Sequence, residues 1–162
     1  MVVLVILLSV FVMSWGGLAI AQRPYAMKTA GCIAFSALFG FTGISHFALA
    51  DGMVLMLPAW VPGRYLIIYV TGVLEILLGL GLVWRSTRRV SGWLTLAFLV
   101  GIFPSNVYAA LNAVEFGGNV NGPSYLFFRV PLQLFLLWWV WFMAIRHPDV
   151  ANLTAKESTP YE

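Results

Sequence analysis

Thiols, histidines and charges are all scarce in this chain. The single cysteine, Cys32, excludes an intramolecular disulfide, dithiol redox chemistry and a zinc site built on two cysteines. Charged residues make up 9% of the 162, where soluble domains carry about 25%. No Ser-His-Asp set, phosphate-binding glycine loop or paired-carboxylate motif is present, so neither catalysis nor a catalytic residue is assigned. The two histidines, His46 and His147, fall at opposite ends of the apolar spans described below. About 30 Å of bilayer then separates them, which rules out bis-histidine haem. Cys32 lies fourteen residues from His46 on one helix, roughly 21 Å away, so no Cys–His metal site forms.

What the chain has instead is hydrocarbon: 61% of its residues are hydrophobic. Apolar runs of about 20 residues recur, the length a helix needs to cross a bilayer. Five spans are expected, at about 2–21, 29–50, 65–84, 91–113 and 124–145, making an all-α, multi-pass membrane protein whose partner is the lipid bilayer. Ala19-Ile20-Ala21 before Gln22 resembles a signal-peptidase site. The usual basic start is missing and the apolar stretch outruns a leader's core, so the first span is read as a retained helix.

The net charge of +3 does not point to nucleic acid, because the basic residues sit in short loops. Arg23 and Lys28 follow span 1, Arg85, Arg88 and Arg89 follow span 3, and Arg146 follows span 5. The loop after span 2 balances Asp51 with Arg64, and the loop after span 4 holds only Glu115. The positive-inside rule then sets the amino terminus outside and the carboxyl terminus in the cytoplasm. The organisation expected is an N-terminal helix with its basic loop (1–28), a four-helix domain (29–147) and a disordered cytoplasmic tail (148–162). One outer loop, Asp51–Arg64, is mostly apolar. It either lies flat in the headgroup region or forms a lid over the bundle.

Polar residues inside the spans share a depth. At about 1.5 Å per residue, Glu75 lies roughly 15 Å below the outer surface, Gln133 about 13 Å, Asn106 about 10 Å, Arg129 about 7 Å and His46 about 6 Å. Thr42 and His46, Thr71 and Glu75, and the series Tyr125, Arg129, Gln133 each repeat at four residues, which places them on one helix face. Lipid cannot satisfy such stripes, so they turn inward. Small residues (Ser36, Gly40, Gly43 on span 2; Gly72, Gly79, Gly81 on span 3) allow close helix approach. Pro104 frees a carbonyl beside Asn106. Glu75 is the one acid set deep in a span, and Arg129 keeps its charge. A Glu75–Arg129 ion pair is therefore expected, buttressed by Asn106, Gln133 and Tyr125, with His46 nearby.

These six residues form the candidate ligand site. A quinone head fits it, with Arg129 or His46 donating to its oxygens and Glu75 relaying a proton; a lipid or an exported hydrophobic metabolite fits as well. The bland alternative is a polar network that only fixes helix register. A transporter ranks last, because no inverted repeat relates spans 2–3 to spans 4–5.

Five short motifs, in order, resemble the DoxX family of small bacterial membrane proteins: GISHF (43–47), LPAWVP (57–62), TGVLEILLGLGL (71–82), FPSNVYAA (103–110) and FRVPLQ (128–133). They cover spans 2 to 5, with Pro-Ser-Asn where the family pattern has Pro-Ala-Asn. The resemblance implies a four-helix core to which span 1 is an addition, in a bacterial or archaeal inner membrane. It also implies an accessory partner of a membrane redox enzyme and favours a quinone as the bound molecule. The thiosulfate chemistry linked to the family name does not carry over, since a lone thiol far from the site is no sulfur relay.

Overall fold

A computed structural model of the chain describes residues 2–23 and 25–146. Six α-helices run through it: α1 (Val2–Ile20), α2 (Ala26–Ala48), α3 (Ala50–Val54), α4 (Arg64–Val83), α5 (Arg88–Leu111) and α6 (Leu126–Val140). A 3-10 segment, Gly117–Tyr125, leads into α6, and a π-turn, Trp141–Ile145, ends it. No strand occurs among the described residues. Five helical stretches are long and apolar enough to cross a membrane, which makes this a multi-pass membrane protein. The observed spans begin up to seven residues earlier than expected, the largest shift being at the fifth, where the 3-10 segment precedes the α-helix. The tail expected at 148–162 lies outside the described residues.

α2 is the hub: it packs on α1, on α4 and, through its first half, on the π-turn, while α5 bridges α4 and α6. Lipid tails are as apolar as leucine, so close van der Waals contact rather than hydrophobicity must hold such helices together. The α2–α4 crossing achieves this through glycine. A Cβ on Gly43 would lie 2.8 Å from the Gly72 carbonyl oxygen, and one on Gly72 would lie 2.6 Å from the His46 Cβ. Gly79 sits likewise against Phe39 and Ser36. Two of the expected contacts take another form: Gly40 faces open space, and Gly81 meets Ser91 of α5 instead of α2.

Below this crossing the core is apolar, with Phe35, Leu38, Leu82, Leu99, Leu136 and Val140 buried together. α1 joins it by burying Leu7 completely and by setting Phe11 edge-on to Trp139, ring centroids 5.0 Å apart. Its other faces are exposed, as a lipid-facing helix requires.

The two ends of the bundle differ in chemistry. At one end Arg88 is buried and donates from Nε to the Leu82 carbonyl at 3.1 Å and from Nη2 to the Val83 carbonyl at 3.2 Å. It thus satisfies carbonyls at the C-terminus of α4, where the helix dipole favours a cation. Lys28 donates to the Arg146 carbonyl at the same end, and the Arg85 guanidinium lies over Tyr25. The opposite end, where α2 and α5 finish and α4 and α6 start, carries the cavity.

Candidate functional site

The α2–α4 glycine contact places the side chains at the cavity floor. Because Gly72 has no Cβ, His46 lies against it, and its Nδ1 comes within 3.7 Å of Glu75 Oε2. That separation is too long for a hydrogen bond. Nδ1 is instead 2.8 Å from the Thr42 carbonyl. A carbonyl only accepts, so Nδ1 carries a proton, and Nε2 is the ring nitrogen left uncommitted. Thr42 and Thr71 turn their hydroxyls back onto carbonyls of their own helices, at 3.0 and 2.9 Å.

Across the cavity, Arg129 of α6 donates from Nη2 to Asn106 Oδ1 of α5 at 2.8 Å. Asn106 Nδ2 donates to the Ile102 carbonyl at 3.1 Å, which fixes the amide so that its oxygen meets the guanidinium. α5 runs as one helix through Pro104, so Asn106 is aimed inward by the helix face and needs no break.

The expected Glu75–Arg129 ion pair is not formed. No Arg129 nitrogen lies within 4.0 Å of a Glu75 oxygen; His46 takes the place beside the carboxylate, and Asn106 takes the guanidinium. The reason is that α4 meets α2 more closely than it meets any other helix, so the inward face of Glu75 looks first at His46.

Together these side chains line a partly open cavity of about 300 Å³. Of the six candidate residues, His46, Glu75, Asn106, Tyr125 and Arg129 reach it. Gln133 does not: it is buried between helices and donates from Nε2 to the Leu99 carbonyl at 2.7 Å. Each step of four residues drifts about 40° around a helix, so by the third member of the series Tyr125, Arg129, Gln133 the stripe has left the cavity and faces α5.

Sequence reasoning missed Asn119. It lies in the 3-10 segment, is 4% exposed, and lines the cavity. Its Nδ2 donates to the Phe116 carbonyl at 3.0 Å. The segment carries no helical period, so its inward member left no signal in the sequence beyond the turn-forming run Gly117-Gly118-Asn119.

The roof comes from two loops. Met53 of α3, Met56 and Leu57 of the apolar stretch that follows it, and Phe116 of the α5–α6 loop all line the cavity. The Phe116 ring lies where a side chain on Gly52 would be, which brings the two loops into contact. The front of the apolar loop is thus a cover over the bundle, while Trp60 in its second half is 82% exposed. Asp51 is held at the rim by the Tyr65 hydroxyl, which donates to Oδ1 at 2.9 Å.

A family model described as Domain of unknown function (DUF8561) matches residues 35–144. The chain belongs to this family. The DUF8561 region contains every polar residue of the cavity wall and both roof loops, and it leaves out α1, which adds only Val3 to the lining. No curated protein and no solved structure matches the chain.

Proposed function

We propose that this DUF8561 protein binds the head group of a quinone or a similar amphiphilic small molecule in the cavity, beside a membrane redox partner. The observation that carries the reading is the buried Glu75, 5% exposed, whose Oε2 has no hydrogen-bond partner while Arg129 is held apart from it by Asn106. Ionisable groups inside a membrane are costly and tend to serve a function. What sets Glu75 Oε2 apart from the unpaired Gln133 Oε1, which lies between helices, is that Glu75 lines the cavity together with His46 and Arg129. An apolar groove between α1 and α6, lined by Leu4, Phe127 and Phe128, adjoins on both helices the residues that line the cavity and offers a place for a chain.

The same reading sets the chain in a bacterial or archaeal inner membrane. The basic end of the bundle is cytoplasmic and the cavity lies in the outer half, with the amino terminus outside. Its ordered motifs support a DoxX-like architecture with α1 added.

The test is mass spectrometry of gently extracted protein, together with thermal-shift titration by a short-chain quinone. A retained amphiphile and a raised melting temperature are expected, with both lost in Arg129→Leu. No retained molecule and no shift would end the proposal.

A second reading, a helix-packing module, draws on the Arg129–Asn106 and Gln133–Leu99 bonds that tie α6 to α5. It expects Glu75→Gln with Arg129→Gln to leave fold and function near normal.

A further inference from the structure

We infer that the head group taken by the cavity is one that donates hydrogen bonds: an amphiphile with at least two hydroxyls, such as the reduced, dihydroxy form of a quinone, in preference to the oxidised diketone. This rests on the reading of the cavity as a binding site and adds to it the hydrogen-bonding class of the ligand.

The inference follows from which polar atoms of the wall are already committed. Asn119 Oδ1 is buried and has no hydrogen-bond partner. Its amide cannot flip to repair this, since the Phe116 carbonyl requires a donor and so fixes Nδ2 on the other side. Glu75 Oε2 is buried and equally without a partner. A carboxylate accepts at both oxygens, and a neutral carboxylic acid still accepts at one, so the carboxyl group presents an acceptor in either state. With His46 Nδ1 committed to the Thr42 carbonyl, Nε2 is the ring nitrogen left to a ligand, an acceptor whenever the ring is neutral. The fixed donor is Arg129, one of whose nitrogens is already given to Asn106.

A quinone's two carbonyls accept only. They can serve Arg129 but offer no donor to Asn119 Oδ1, nor to Glu75 Oε2 while that carboxyl is ionised. A hydroxyl both donates and accepts, so each hydroxyl oxygen can serve Arg129 or Tyr125 on one side and an orphan oxygen on the other. Water could satisfy the same oxygens, and a ligand that displaced it without repeating its donors would lose affinity. A site built to hydrogen-bond a hydroxyl discriminates strongly against an analogue that lacks one.

Two sources share this chemistry: a quinol and a glycerol-headed lipid. The experiment uses the full chain in nanodiscs under anaerobic conditions. Decylubiquinone, its two-electron-reduced quinol and monodecanoyl glycerol are titrated separately, with binding read from intrinsic tryptophan fluorescence. At least one hydroxylated ligand should bind about tenfold or more tightly than the quinone, and the tighter of the two identifies the source. Asn119→Leu should shrink that ratio, and Glu75→Gln, which can offer an N–H in place of Oε2, should shrink or invert it. Monodispersity on gel filtration qualifies each variant, and the wild-type ratio decides the matter if neither variant folds. Quinone binding as tight as that of both hydroxylated ligands overturns the inference but leaves the binding site standing. The same holds if the ratio is unchanged in a folded Asn119→Leu. Binding of none of the three overturns the binding site itself, and the inference with it.

Discussion

Gly43→Ala should loosen the whole cavity, although residue 43 does not line it. The added Cβ would stand 2.8 Å from the Gly72 carbonyl oxygen and 2.7 Å from Ile76 Cγ1. Cβ atoms essentially never approach within 3.0 Å of another heavy atom, and ordinary contact begins at 3.4 Å. Ile76 can rotate away, but the carbonyl belongs to the α4 backbone, so the two helices must part by about 0.6 Å. Overpacking of this kind costs about 1–3 kcal/mol. The displaced helix carries Glu75, whose Cβ lies 3.4 Å from the new methyl, so the carboxylate and His46 move apart as well. Gly40→Ala is the control. It is three residues earlier on α2, with nothing within 4 Å of its would-be Cβ. There alanine only gains helix propensity, up to about 1 kcal/mol. Unfolding in detergent can be followed by maleimide labelling of Cys32, which is 1% exposed in the folded chain. Gly43→Ala should raise the labelling-competent fraction about tenfold, as expected near 1.4 kcal/mol, while Gly40→Ala should leave it unchanged or lower. Equal behaviour of the two variants would refute the close-crossing argument.

Three further outcomes follow from the same contacts. Gln133→Met should leave ligand binding unchanged and stability within about 1 kcal/mol, since Gln133 faces Leu99 and its Oε1 is already an unpaired buried oxygen; a titration showing lost binding would return Gln133 to the site. Arg88→Gln should cost about 1.5–3 kcal/mol by removing charged hydrogen bonds to the end of α4, whereas Arg89→Gln, at an exposed position, should be near neutral in the same unfolding assay. Native Cys32 should resist membrane-permeant maleimide until the bundle unfolds, because its thiol is enclosed beside the Met143 carbonyl at 3.6 Å; rapid labelling of folded protein would show that the α2–π-turn contact is open.

Much of the architecture was readable without coordinates. The spans follow from run length against bilayer thickness. The inward stripes follow from the four-residue spacing of Thr42 and His46 and of Thr71 and Glu75, because lipid offers these groups no partner. The unusual apolar loop after α2 announced itself by composition, and its front half does cover the cavity. These are local properties: each depends on a stretch of chain and on the solvent around it.

Partners were another matter, and only the tertiary structure decided them. Both Glu75 and Arg129 turn inward, yet Glu75 meets His46 and Arg129 meets Asn106. Gln133, four residues past Arg129, leaves the cavity for Leu99, and Asn119, which has no helical period to mark it, enters. Sequence spacing gives the face a residue occupies on its own helix, but the neighbour met by that face depends on how far each helix is rotated and how closely the pair crosses. Here the contact of Gly43 with Gly72 sets both quantities, and it belongs to two helices at once.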